Sequence, residues 1–195
     1  MISPGPNTTL EAPAATAADD SASDGEPART CADICVEDER WAAVKGLEDL
    51  IPSLAAESLR AAGLAPARHC VSVALLSDAE VHSLNKAFRG KDSPTNVLSF
   101  PAAAALRAAN PREPLFLGDV ALAYETVAGE ASGQGKTALQ HSAHLVVHGI
   151  LHLAGFDHDA EAGAERMETA ERNILARFGI PDPYRDDVLS PAPDL

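Results

Sequence analysis

Alternation of apolar and polar positions begins at residue 31. Ala32, Ile34 and Val36 alternate with Cys31, Asp33 and Cys35, a period of two that predicts a strand. Trp41, Val44, Leu47, Ile51, Leu54 and Leu59 then recur at helical spacing up to Gly63, with Pro52 placed to kink or divide that helix. Val71, Val73 and Leu75 alternate again. The next helix opens on a capping box, Ser77 with Glu80, and a staple of Leu76 on Val81, and closes near Gly90. A loop through Lys91, Asp92 and Pro94 leads to a short strand at Val97, Leu98 and Phe100, which Pro101 stops. Residues 102–114, rich in Ala, Arg and Pro, read as a surface insertion, and Val120, Leu122 and Tyr124 begin a fourth strand. After Gly133-Gln134-Gly135, helices are expected over about 137–154 and about 160–178, the second packed through Met167, Ile174 and Phe178 and stopped by Gly179 and Pro181. This pattern predicts an α+β domain, a small mixed four-stranded sheet packed by about five helices.

With 195 residues the chain suits one domain. Residues 1–30 are Ala, Pro, Ser, Thr and Asp with almost nothing large and apolar, so a disordered tail is expected there, the folded domain over 31–187 and a short tail over 188–195. No secretory start and no run of about 20 apolar residues occurs, and a soluble, cytoplasmic protein is expected. Cys31, Cys35 and Cys70 are odd in number and lack C-x-x-C spacing, which suits reduced thiols. The net charge of -14 argues against nucleic-acid binding through a general basic surface. Residues 84–112 reverse that balance locally, with Lys86, Arg89, Lys91, Arg107 and Arg112 against Asp92 alone. A solvated loop would show such a cluster too.

The chemistry concentrates in His148-Gly149-Ile150-Leu151-His152-Leu153-Ala154-Gly155-Phe156-Asp157-His158. Four residues apart on a helix, His148 and His152 project from one face, one turn apart. Gly155 lets the chain leave the helix through a left-handed turn and bring His158 back toward them. Three imidazoles with an open fourth position form a catalytic rather than a structural zinc arrangement, one ion per chain, at the end of the histidine-bearing helix. His141 and His144 extend the stripe along the helix and are assigned to its face or to support of the ligands. The spacing is shared with zinc proteases of the pattern H-E-x-x-H-x-x-G-x-x-H. Gly149 stands where they carry the general-base glutamate, so peptide hydrolysis by that route is disfavoured.

Together with Leu84-Asn85-Lys86-Ala87-Phe88-Arg89-Gly90-Lys91-Asp92-Ser93-Pro94-Thr95-Asn96-Val97-Leu98-Ser99-Phe100-Pro101, the histidine motif resembles the bacterial YbeY family of endoribonucleases, the rRNA maturation factors. Leu117-Gly118-Asp119-Val120 and Asp182-Pro183-Tyr184 resemble further blocks of that family, and the likeness spans about residues 31–187. The resemblance implies a metal-dependent, single-strand-specific endoribonuclease acting in 16S rRNA 3′-end maturation and ribosome quality control. Its partners would be single-stranded RNA, 16S rRNA, and the small ribosomal subunit with its assembly proteins, without membrane or DNA. It implies metal ligands at His148, His152 and His158 and a functional arginine at Arg89, whose guanidinium suits a phosphate. Lys91 would assist or simply be solvated. Asp157 and Asp119 could orient a ligand imidazole, although a turn or cap suits Asp157 better. The nucleophile is left as a metal-activated water or the RNA 2′-hydroxyl. Phe156 and Phe88 depart from the tyrosines expected there. The rival readings are a zinc protease-like hydrolase and a non-catalytic assembly factor whose zinc holds the fold.

Overall fold

The computed structural model describes residues 31–103 and 113–185. Both expected tails, most of the insertion and, with it, Arg107 and Arg112 lie outside the described residues. Four strands, β1 (Ala32–Val36), β2 (His69–Leu76), β3 (Val97–Pro101) and β4 (Leu115–Ala123), form one mixed sheet in the order β1-β2-β4-β3. β1, β2 and β4 run parallel, and β3 lies antiparallel on β4 with Pro101 opposite Gly118. Parallel neighbours need long crossovers. Helix α1 (Leu47–Ala61) supplies the one between β1 and β2, and α2 (Asp78–Arg89) follows β2.

Strand alternation divides the core. Val71, Val73, Leu75, Val120 and Leu122 face the larger cluster, which contains Trp41, Ile51, Leu54, Leu59, Ile150 and Leu151. Leu76, Ala121 and Ala123 face the smaller one with Val81 and Leu98 beneath α2. The capping box of α2 is present, Ser77 Oγ accepting from Glu80 N and Glu80 Oε2 from Ser77 N, and Gly90 closes the helix at φ 67°. A second box, Thr137 with Gln140, opens the histidine helix.

Three expectations change. Tyr124 leaves the strand pattern, because β4 ends at Ala123 and a further helix, α3 (Tyr124–Gly133), starts there. Its first turn is fixed by Asp78, whose carboxylate accepts from Thr126 N at 2.9 Å and Thr126 Oγ1 at 2.7 Å. Trp41 lies in a 3-10 turn (Glu39–Ala43), which Gly46 in the left-handed region (φ 81°) separates from α1. Pro52 neither divides α1 nor ends it: the helix runs unbroken from Leu47 to Ala61, and the Pro52 carbonyl accepts from Cys31 Sγ at 3.4 Å. Helices α4 (Ala138–Leu153) and α5 (Glu161–Arg177) stand within a residue or so of the expected bounds and bring the α-helices among the described residues to five. None of the three cysteines is joined in a disulfide, and no helix among the described residues is long and apolar enough to cross a membrane.

α4 lies directly on the sheet, and Gly149 is a point of close approach. A Cβ built there would stand 2.6 Å from Val120 Cγ1 and 3.1 Å from Ser99 Oγ. Glycine is therefore a packing requirement of the helix that carries the histidines.

Candidate metal centre

The end of α4 is built by local chain geometry. Its last two turns present His148 and His152, and the helix then ends at Ala154 as Gly155 takes φ 93°. Gly155 N–H donates to His152 O and Phe156 N–H to Leu151 O, both at 3.0 Å, so the chain reverses in the way helices commonly terminate. His158 is thereby returned to the helix. One ring nitrogen from each of His148, His152 and His158 lies within 4.8 Å of the others, and the Nε2 atoms of His148 and His152 are 3.1 Å apart. Two nitrogens bound to one tetrahedral zinc at about 2.0–2.1 Å would stand about 3.4 Å apart, so the donor set fits such an ion with little movement.

The opposite ring nitrogens are already engaged. His148 Nδ1 meets Glu171 Oε1 at 2.9 Å, and His152 Nδ1 meets Phe156 O at 3.0 Å. Both partners only accept, so each Nδ1 carries the proton and each Nε2 keeps its lone pair for a metal. Burial, aided by the neighbouring His148, pushes the His152 imidazole below its ordinary pKa and favours the neutral, ligating form.

Glu171 is the residue that sequence reasoning missed. It is fully buried on α5 and accepts from His144 Nε2 at 3.0 Å as well as from His148 and the Tyr184 hydroxyl. Burial alone would raise its pKa, but the hydrogen bonds from His144, His148 and Tyr184 prevail and hold it at about 2. A signal existed: Glu171 falls in the apolar stripe of α5 between Met167 and Ile174, where an ionised side chain needs a partner. Asp157 instead accepts from Asp159 N at 3.0 Å, a turn, and Asp119 lines the neighbouring groove. His144 therefore supports a ligand through Glu171, whereas His141 is buried against Glu130 at 2.7 Å.

Arg89 reaches the same place from the last turn of α2. It lines a cavity of about 550 Å³ with His148, His152, His158, Asp157 and Asp159. Arg89 Nη2 donates to Ser99 O at 3.3 Å, and Ser99 Oγ donates to Gly149 O at 3.2 Å, so a backbone carbonyl of β3 steadies the guanidinium beside the helix. Lys86 is tied to Asp92 at 2.9 Å, and Lys91 is exposed in the following loop. The structure thus brings the four site residues together and takes Lys86 partly out of the basic cluster.

The family model for "Endoribonuclease YbeY" matches residues 34–179. The chain belongs to the YbeY family. An endoribonuclease YbeY of Azorhizobium caulinodans is 47% identical over 153 residues, 78% of this chain and 94% of that protein. Another, from Paracoccus denitrificans, is 44% identical over 173 residues, 85% of this chain and 96% of its own length. The solution structure of TM1509 from Thermotoga maritima superposes with a TM-score of 0.47 at 22% identity, covering 79% of this chain and 99% of that one. In this YbeY chain, Phe156 packs its ring beneath the Arg166 guanidinium, 4.8 Å from the ring centre.

Proposed function

We propose that this chain is a metal-dependent endoribonuclease that cuts single-stranded RNA, with one zinc ion held by His148, His152 and His158 and the scissile phosphate held by Arg89. The carrying observation is the shared cavity: an always-charged guanidinium and three convergent imidazoles face one opening, a combination suited to a phosphodiester. The protein's cellular task, in this reading, is 16S rRNA 3′-end maturation and late ribosome quality control in the cytoplasm. It would act there on the small subunit with its assembly proteins.

Bound at the three histidines, a divalent metal would supply Lewis acidity toward a phosphoryl oxygen and lower the pKa of coordinated water. Arg89 contributes donors that grip phosphoryl oxygens and offset charge growing on them in the transition state. Glu171 and the Phe156 carbonyl fix the rings of His148 and His152, so the site needs little reorganisation when substrate arrives. For the proton of the attacking oxygen the cavity offers the exposed carboxylates of Asp157 and Asp159. Gly149 cannot serve, and packing against Val120 leaves no space for a glutamate in its place, which weighs against the protease reading.

The test is cleavage of a single-stranded RNA by the full chain, His158→Ala and Arg89→Ala, with elemental analysis of each preparation. The proposal expects bound metal in the full chain and in Arg89→Ala, its loss in His158→Ala, and cleavage reduced at least a hundredfold in both variants, on the order of one lost transition-state contact. Undiminished cleavage in both would overturn it. Full ribosome maturation without metal in His152→Ala would favour the non-catalytic assembly role.

A further inference from the structure

We infer that the groove beside the histidine cavity is a nucleobase subsite, in which Phe88 and Phe100 stack a base of single-stranded RNA next to the phosphate gripped by Arg89. The inference rests on the ribonuclease reading above. Phe88 is 70% exposed although it is a large apolar side chain, and it directly precedes Arg89 on the last turn of α2. Its ring meets Phe100 of β3 edge to face, centroids 5.3 Å apart and planes at 63°. An edge-to-face pair consumes at most one ring face, so faces remain for stacking. Both rings line an open groove of about 660 Å³ floored by Leu76, Leu84 and Ala121 on the face of the sheet that carries α2.

Continuity with the metal cavity indicates what occupies it. Arg89, Ser99 and Pro101 line both spaces, so a ligand passing from one to the other meets the guanidinium at the junction. A flat, stacking ring held one sugar away from an anion matches the plan of a nucleotide. A base inside a duplex is already stacked on its neighbours, whereas an unpaired base is free to turn onto an aromatic side chain, which gives the groove a preference for single strands. Stacking tolerates any base and responds weakly to salt. A chain of net charge -14 has little general attraction for RNA, and a base-stacking surface supplies affinity that charge does not.

The experiment uses the full chain, Phe88→Ala and Phe88→Trp, with a short single-stranded RNA carrying 2-aminopurine and a matched set in which one abasic residue is moved along the strand. Because Phe88 is exposed, its replacement leaves the core untouched, and circular dichroism checks this. The wild type should quench the 2-aminopurine on binding. Phe88→Ala should weaken binding and raise KM by between about fivefold and a hundredfold with kcat held, and Phe88→Trp should restore both. One abasic position should cost the wild type the same factor and cost Phe88→Ala nothing. Equal KM in Phe88→Ala and wild type would overturn the subsite, as would an abasic penalty that persists without the ring. Normal RNA binding combined with loss of ribosomal-subunit association in Phe88→Ala would also overturn it and assign the groove to a protein. Quenching that depends on Phe88 without any RNA cleavage would uphold the subsite and refute the ribonuclease reading instead.

Discussion

Glu171 is a carboxylate with no solvent contact, and its charge survives because three donors converge on it. Its folded pKa of about 2 lies below the ordinary 4.5, so the stabilisation it brings is complete above about pH 4.5 and is lost as pH falls toward 2. Glu171→Gln keeps the shape but has one accepting oxygen where two served His148, His144 and Tyr184. Metal affinity should fall by roughly ten- to a hundredfold, read by competition with a chromogenic chelator, and unchanged affinity would show that Glu171 does not orient His148. Gly149→Ala tests packing in isolation: the added methyl meets Val120 and should cost about 1–3 kcal/mol in urea denaturation. An unaltered midpoint would contradict the close approach of α4. The triplet was legible in the sequence because helix spacing and a glycine exit are local rules. Glu171 was not, because its bond to His148 closes over 23 residues and depends on how α5 docks. Arg89 was marked by resemblance and by local charge, yet only the fold shows it entering the cavity of the histidines.

At the scale of elements, the start of α2 and the start of α3 cap each other. Asp78 in the first turn of α2 accepts from Thr126, while Glu125 in the first turn of α3 accepts from Asp78 N at 2.9 Å and pairs with Arg40 at 2.6 Å. Each carboxylate sits at a helix N-terminus, where unpaired N–H groups favour negative charge. The Asp78 N–H bond, with help from Arg40 and against partial burial, holds Glu125 below its ordinary pKa. The sign follows: its contribution is full above about pH 4.5 and disappears as pH falls through the lower folded value. Glu125 is 43% exposed, so water screens the pair and the effect should stay below about 1 kcal/mol. Glu125→Gln should therefore lower thermal stability slightly at pH 7, by an amount that shrinks as pH falls below about 4.5; a deficit that does not shrink with falling pH would reject the charge-based account. α3 escaped the sequence reading because its ten residues bury only Val127 and Ala131 and include Gly129 and Gly133, which leaves hardly any helical period. α2 was legible from its capping box and the Leu76–Val81 staple, and α4 from the helical spacing of its histidines and apolar residues after Gly133-Gln134-Gly135.

Across the whole molecule, the mixed four-stranded sheet was foreseeable from alternation, whereas the order β1-β2-β4-β3 depends on which helices cover which face. Charge shows a similar division between what the chain lists and what the fold presents. The basic cluster of residues 84–112 looks like several free cations, but Asp92 holds Lys86 at 2.9 Å and His82 at 2.7 Å. Lys86, then His82, keeps the Asp92 carboxyl below its ordinary pKa, so the clamp is ionised at neutral pH. RNA that approaches Arg89 must compete with that carboxylate for Lys86. Asp92→Asn removes the competitor without adding a cation, and it should strengthen RNA binding while steepening its salt dependence. Each additional phosphate neutralised on a single strand changes the slope of log K against log salt by about -0.7. The prediction is thus a slope more negative by about 0.7 in Asp92→Asn, measured by fluorescence anisotropy of a labelled single-stranded RNA across a potassium chloride series. Comparison of the variant with the wild type cancels the contribution of every other basic residue, including Arg107 and Arg112. Parallel slopes would mean that Lys86 never reaches a phosphate and that Arg89 meets the RNA without it.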